Sequence, residues 1–190
     1  MSFEVEQKFR TGSHDEVAER LRTLGAVVGP LLEQEDAYIN HPSRDFATTG
    51  EALRLRRSGE KNVVTYKGPK LGGPTKTRKE LEVAFEPGLE GYRAMLGVFE
   101  SLGFRPVAVV RKSRVPYRLQ RDGRELEVTL DTVAGLGTFV EVEAMAESPE
   151  SLASAQRAVV ALAGELGLSA AEPRSYLRMK LEALAASADD

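Results

Sequence analysis

Phe3-Glu4-Val5-Glu6-Gln7-Lys8-Phe9-Arg10 is the stretch whose reading decides the fold. Phe3, Val5 and Phe9 alternate with Glu4, Glu6 and Lys8, and the polar Gln7 is the one break. Side chains of a strand point to opposite faces every second residue, so this stretch reads as a strand with one apolar and one charged face. The same design recurs along the chain. Leu53 and Leu55 alternate with Arg54 and Arg56, and Leu81, Val83 and Phe85 with Arg78, Glu80 and Glu82. Lys112 and Arg114 share a face within 107–119. Leu126, Val128 and Leu130 alternate with Glu127, Thr129 and Asp131, and Val140 and Val142 with Glu141 and Glu143.

Turns and helices punctuate these strands. Gly59-Glu60 joins 52–57 to 63–67, and Asp122-Gly123 is a strong hairpin signal. Residues 27–39 read as extended, broken at Gly29-Pro30, and 41–50 as a loop. Ser13 reads as a helix N-cap with Glu16 three residues on, and Gly25 as the stop. Further helices are predicted over 88–102, 149–166 and 173–185, the last with Pro173 in its first turn. Gly68 to Thr75 is a Gly- and Pro-rich loop, without the spacing or terminal Lys-Ser/Thr of a P-loop. About eight strands with four helices between them make an α+β protein.

A charged sheet face ordinarily lies in water. Two features argue otherwise. Outer faces usually mix in Ser, Thr, Asn and Gln, whereas here Arg or Lys and then Glu repeat at two-residue spacing. Eight strands also suffice to close a barrel, which puts one face inside while helices cover the other. Lys8, Arg54, Arg56, Lys67, Arg78, Lys112 and Arg114 would then share a lumen with many carboxylates. Desolvating each ion costs several kcal/mol, roughly, after relaxation. Internal pairing offsets part of this, and a bound polyanion with divalent metal offsets more. Triphosphate fits, because its oxygens accept from Arg and its metal from carboxylates.

Composition narrows the field. At 190 residues the chain is read as one domain, 1–190. A net charge of −3 gives no reason to expect nucleic acid or membrane as partner. The absence of Cys excludes disulfides and thiolate metal sites. No apolar run approaches the length of a membrane span and no leader opens the chain, so a cytoplasmic protein is expected. With carboxylates as the ligands, a hard ion is favoured over zinc. His14 and His41 are read as surface residues.

Seven motifs in order resemble one known group. They are Glu4-Val5-Glu6-Gln7-Lys8; Leu53-Arg54-Leu55-Arg56; Thr65-Tyr66-Lys67-Gly68-Pro69; Arg78-Lys79-Glu80-Leu81-Glu82; Lys112-Ser113-Arg114; Leu130-Asp131-Thr132-Val133; and Leu136 to Glu143. Together they are similar to the CYTH superfamily of triphosphate tunnel metalloenzymes, over almost the whole chain. Asp36 to Pro42, Arg44-Asp45-Phe46 and Glu172 to Leu177 resemble its class IV adenylyl cyclase branch.

The resemblance implies a closed eight-stranded antiparallel barrel with helices packed outside and triphosphate bound within. It implies that Lys8, Arg54, Arg56, Lys67, Arg78, Lys112 and Arg114 bind phosphate. Glu4, Glu6, Glu141 and Glu143 are the implied metal ligands for Mg²⁺ or Mn²⁺, with Asp131 a further ligand or a group behind the ligands, Glu80 and Glu82 either binding a second ion or balancing the cations, and Arg78 either on phosphate or paired with Glu80; Glu4, Glu6, Lys8 and Glu141 stand at the chemistry. The reaction implied is conversion of ATP to cyclic AMP and pyrophosphate. One alternative is a triphosphatase acting on tripolyphosphate or thiamine triphosphate; another is a binding module without turnover. Oligomeric state, including a homodimer, stays open. Lys70 and Lys76 are read as solvated, and Arg174 and Tyr176 as either closing the tunnel mouth or packing a helix.

Overall fold

A computed structural model describes residues 3–69 and 75–187. The expected loop around Lys70 and Gly72-Gly73 lies largely outside the described residues. In chain order the strands are β1 (Phe3–Thr11), β2 (Val27–Val28), β3 (Leu32–Asn40), β4 (Ala52–Ser58), β5 (Lys61–Lys67), β6 (Lys76–Phe85), β7 (Arg105–Arg121), β8 (Arg124–Val133) and β9 (Gly137–Ala146). The helices are α1 (Asp15–Thr23), α2 (Phe46–Thr49), α3 (Gly88–Ser101), α4 (Leu152–Glu165) and α5 (Tyr176–Ala186).

Around the barrel the order is β7-β3-β4-β5-β6-β1-β9-β8, and β8 pairs back onto β7 to close it. All pairings are antiparallel. The short β2 is a ninth strand that borders β7 where β3 has ended. β7 is long enough, at 17 residues, to serve both neighbours. Closure leaves no long unpaired edge and divides the alternating side chains into a lumen and an outer surface.

The apolar outer faces are covered by helices. Val5, Phe9, Val128, Val140 and Val142 pack with Val17 and Leu21 of α1 and Val159 and Leu162 of α4. Ile39, Leu53 and Leu55 pack with Phe46 of α2 and Tyr92 of α3. α5 has a different place. Its Tyr176 and Met179 pack on Tyr38, Val110, Val133 and Phe139, so it lies across one end of the lumen.

Three local readings change. α1 is capped at His14, one residue later than expected, because the Ser13 hydroxyl turns to the Asp15 amide and carboxylate. The expected loop 41–50 contains the one-turn α2, where Asp45 accepts from the Ala47 amide and Gly50 closes in the left-handed conformation. α5 begins three residues after Pro173, with Ser175 as N-cap accepting from the Arg178 amide.

Candidate active site

The lumen opens into a cavity of about 720 Å³. Every strand from β3 to β9, and β1, aims charge toward it through the period-two alternation. The sequence-predicted cations Lys8, Arg54, Arg56, Lys67, Arg78, Lys112 and Arg114 all line it, as do Glu4, Glu6, Glu141 and Glu143. Glu80 and Asp131 do not line it: Glu80 is taken up by Lys67, and Asp131 by Lys112 and Arg114.

The acids and bases are matched across neighbouring strands. Lys8 Nζ lies 3.4 Å from Glu141 Oε1. Lys67 pairs with Glu80 and, at 3.4 Å, with Glu4. Arg54 donates to the Thr65 hydroxyl at 3.0 Å and reaches Glu82 at 3.4 Å. Arg56 grips Asp36 through Nε and Nη2 at 2.6 and 2.7 Å. Arg114 grips Asp131 the same way and also bonds Glu141. With Glu80 taken by Lys67, Arg78 turns to the cavity.

Three carboxylates come together. Oxygens of Glu6, Glu141 and Glu143 lie within 4.8 Å of one another. Glu143 pays for this crowding: burial, and then the Glu4 charge, push its pKa well above the usual carboxylate range. At Glu141 the balance is opposite. Burial would raise it, but Lys8, Lys112 and Arg114 hold it well below that range. Glu80 rises to about 7, through burial and then Glu4. A hard oxygen set of this kind suits a hard divalent ion.

Asp131 is held differently from the clustered acids. It is fully buried, and its oxygens are taken by Arg114, by Lys112 Nζ at 2.9 Å and by the Tyr176 hydroxyl at 2.9 Å. The structure therefore sets it among the cations, outside the three-carboxylate cluster. Glu4 faces Lys67, also outside that cluster. Lys112 is pulled down to about 8, chiefly by burial and then by Arg114.

Lys76 and Asp36 escaped the sequence reading, whereas Tyr176 and Arg174 were expected either at the tunnel mouth or in helix packing. Lys76, expected in solvent, lines the lumen and pairs with Glu6 at 2.9 Å. Its two-residue spacing from Arg78 was the available signal. Tyr176 comes in from α5, its ring 3.8 Å below Lys8 Nζ. The Arg174 carbonyl accepts from both Lys8 and Lys76, at 3.1 and 3.3 Å. The Arg174 side chain points away, to Glu172 and Glu182. Asp36 carried no expected role. The histidines stay out of the lumen: His14 Nε2 meets the Phe139 carbonyl at 3.0 Å, and His41 rests on Phe46 and Phe104.

Comparison with known proteins agrees with this geometry. The chain is 40% identical over 140 residues to a Methanocaldococcus jannaschii protein named "Putative adenylate cyclase", covering 74% of this chain and 75% of that one. The PH1819 protein of Pyrococcus horikoshii superposes with a TM-score of 0.82 at 35% identity, covering 94% of this chain and 98% of that one. HpAC1 of Hippeastrum, described as a "putative adenylyl cyclase" with a dominant triphosphatase activity, shares the fold at 20% identity and a TM-score of 0.65, over 94% of each chain. The CYTH domain profile matches residues 2–176, and the chain belongs to the CYTH domain family.

Proposed function

We propose that this protein is a divalent-metal-dependent enzyme that binds ATP by its triphosphate and converts it to cyclic AMP and pyrophosphate. One observation carries the reading: the cavity joins a charged lumen to a mouth with apolar side chains in its wall. Phe46, Ala47, Leu177, Leu181 and Ala185 line that mouth, between α2 and α5. Pockets of roughly 300–1,000 Å³ hold organic ligands of drug size, so about 720 Å³ leaves room for more than inorganic triphosphate. The name of the Methanocaldococcus relative supports the same reading.

In this reading the lumen cations neutralise and orient the phosphates. Arg54, Arg56 and Arg114 offer planar donor edges, while Lys8, Lys67 and Lys112 act as point charges. Arg78 and Lys76 add two further cations to the wall. Glu6, Glu141 and Glu143 would hold Mg²⁺ or Mn²⁺, which when bound supplies charge neutralisation and acidifies the attacking oxygen. The ribose 3′-oxygen attacks the α-phosphorus in line, the bond from that phosphorus to the oxygen bridging to the β-phosphate breaks, and pyrophosphate leaves among the cations, taking up the 3′-hydroxyl proton.

A second reading, hydrolysis of the terminal phosphate, is favoured by the chemistry of the mouth. Its charged groups are already engaged: Glu51 with Arg44 and Tyr66, Arg178 with Glu182. Such walls accept an organic group without fixing a ribose. A product assay tests both. Purified protein receives ATP, thiamine triphosphate or tripolyphosphate, with Mg²⁺ or Mn²⁺. Cyclic AMP with equimolar pyrophosphate is the expected result. Orthophosphate without cyclic AMP replaces the cyclase by the triphosphatase, and no product from any of the three overturns both.

A further inference from the structure

β3 runs between two cationic strands, β4 with Arg54 and Arg56 and β7 with Lys112 and Arg114. Glu33 and Glu35 of β3 turn outward, to Ser113 and Arg111. Asp36 turns inward and is 1% exposed. It faces Arg56 directly in the antiparallel register. Its two oxygens accept from Nε at 2.6 Å and Nη2 at 2.7 Å, and Arg54 Nη1 approaches to 3.8 Å. This side-on grip fixes the guanidinium plane by its Nε edge and leaves the Nη1 edge for another acceptor.

Arg114 is held through the same edge. Its Nε and Nη2 donate to the two oxygens of Asp131, both at 2.6 Å, again across a direct register pair. Charge balance alone does not require this repetition, because an acid in any orientation would supply it. A held orientation does. An arginine fixed before its ligand arrives also spares binding the cost of ordering a long side chain.

We propose that Asp36 is a positioning residue for triphosphate recognition, presenting Arg56 to phosphate oxygens as Asp131 presents Arg114. The inference rests on the triphosphate reading above. It makes a prediction of definite sign. A carboxylate that only balanced charge would repel a polyanion, so its loss would tighten binding. A purely structural carboxylate would alter stability and leave affinity unchanged. A positioning carboxylate weakens binding when removed.

The experiment is calorimetric titration of Mg²⁺-tripolyphosphate into wild type, Asp36→Asn, Arg56→Lys and the double variant. Asp36→Asn is expected to raise Kd roughly 10- to 100-fold, the range found when groups orienting a ligating side chain are removed. Arg56→Lys keeps the charge but cannot be gripped at two points, so it is expected to lose a similar factor. The double variant should bind no more weakly than Arg56→Lys, since Asp36 acts through Arg56. Unchanged or tighter binding by Asp36→Asn overturns the proposal, as does full additivity. Should Asp36→Asn fail to fold, Asp36→Glu takes its place. It keeps the charge but moves the carboxylate by a methylene, so weaker binding supports positioning and wild-type affinity overturns it. Failure of wild type to bind any triphosphate would overturn the triphosphate reading itself, an outcome distinct from unaltered binding by the variant.

Discussion

Glu6, one of the three clustered carboxylates, pairs with Lys76 of the neighbouring strand β6. Its pKa shows the competition: burial and Glu141 push it up, but Lys76 and Lys8 bring it below the ordinary value. It stands ready as an anion. Glu6→Gln keeps the shape and removes the charge, so turnover should fall roughly 100-fold or more while far-UV circular dichroism stays unchanged. A wild-type rate would remove Glu6 from the metal set. Asp36 yields a pH prediction. Burial would raise its pKa, but Arg54 and Arg56 hold it far below its ordinary 3.8. The unfolded chain therefore takes up the proton first as pH falls. The stability Asp36 contributes is complete above about pH 5 and drains away as pH drops through its depressed folded value. The melting temperature of wild type should fall between roughly pH 4 and pH 2, and Asp36→Asn should show a shallower fall over that range. Parallel curves would mean that Asp36 is not held as described.

At the scale of elements, strands were the most legible, because a period of two is local information. Glu4-x-Glu6-x-Lys8 and Arg54-x-Arg56 point their charges inward as the alternation says. α2 and the true start of α5 were not legible, because one-turn helices and caps depend on side-chain bonds such as Asp45 to Ala47 and Ser175 to Arg178. The place of α5 across the lumen was hidden too. Its amphipathic pattern shows that it buries a face, but not that the face includes Phe139 and Val133 from inside the barrel. α3 offers a test in which propensity and packing oppose each other. Gly91 lies in this helix, and a Cβ there would come within 2.2 Å of the Glu86 carbonyl oxygen, a backbone atom that cannot simply swing aside. Helix propensity favours Ala over Gly by about 1 kcal/mol. The contact predicts the opposite sign, so Gly91→Ala should lower the urea midpoint. A raised midpoint would mean that the helix start relaxes freely. Leu162→Ala on α4, at 2% exposure, should cost about 2–4 kcal/mol in the same assay without changing Kd for triphosphate, because it touches only the outer core.

Across the whole molecule, the lumen is a closed wall of paired charges, and the pairing explains what a ligand must be. Most of its cations have an acid against them: Lys8 with Glu141, Lys67 with Glu80, Lys76 with Glu6, Arg56 with Asp36, and Arg114 with Asp131. The sequence showed which charges exist and that they share a face. It did not show the pairing, because Asp36 meets Arg56 and Asp131 meets Arg114 only through strand register and closure. In such a lumen a bare polyphosphate must compete with the carboxylates for the arginines, and a bare divalent ion must compete with the lysines for Glu6 and Glu141. Each alone relieves one sign and aggravates the other. Bound together they arrive nearly neutral, with the metal drawing the acids and the phosphates drawing the cations. Ligand and metal should therefore stabilise the fold cooperatively. At about 100 times the dissociation constant the expected gain is about 2.7 kcal/mol, a rise of roughly 5–10 °C for a chain of this length. Mg²⁺ alone and tripolyphosphate in EDTA should each give a small fraction of that rise. Equal shifts with and without the metal would mean that the lumen grips phosphate by its cations alone, and the carboxylate cluster would then serve charge balance and not metal binding.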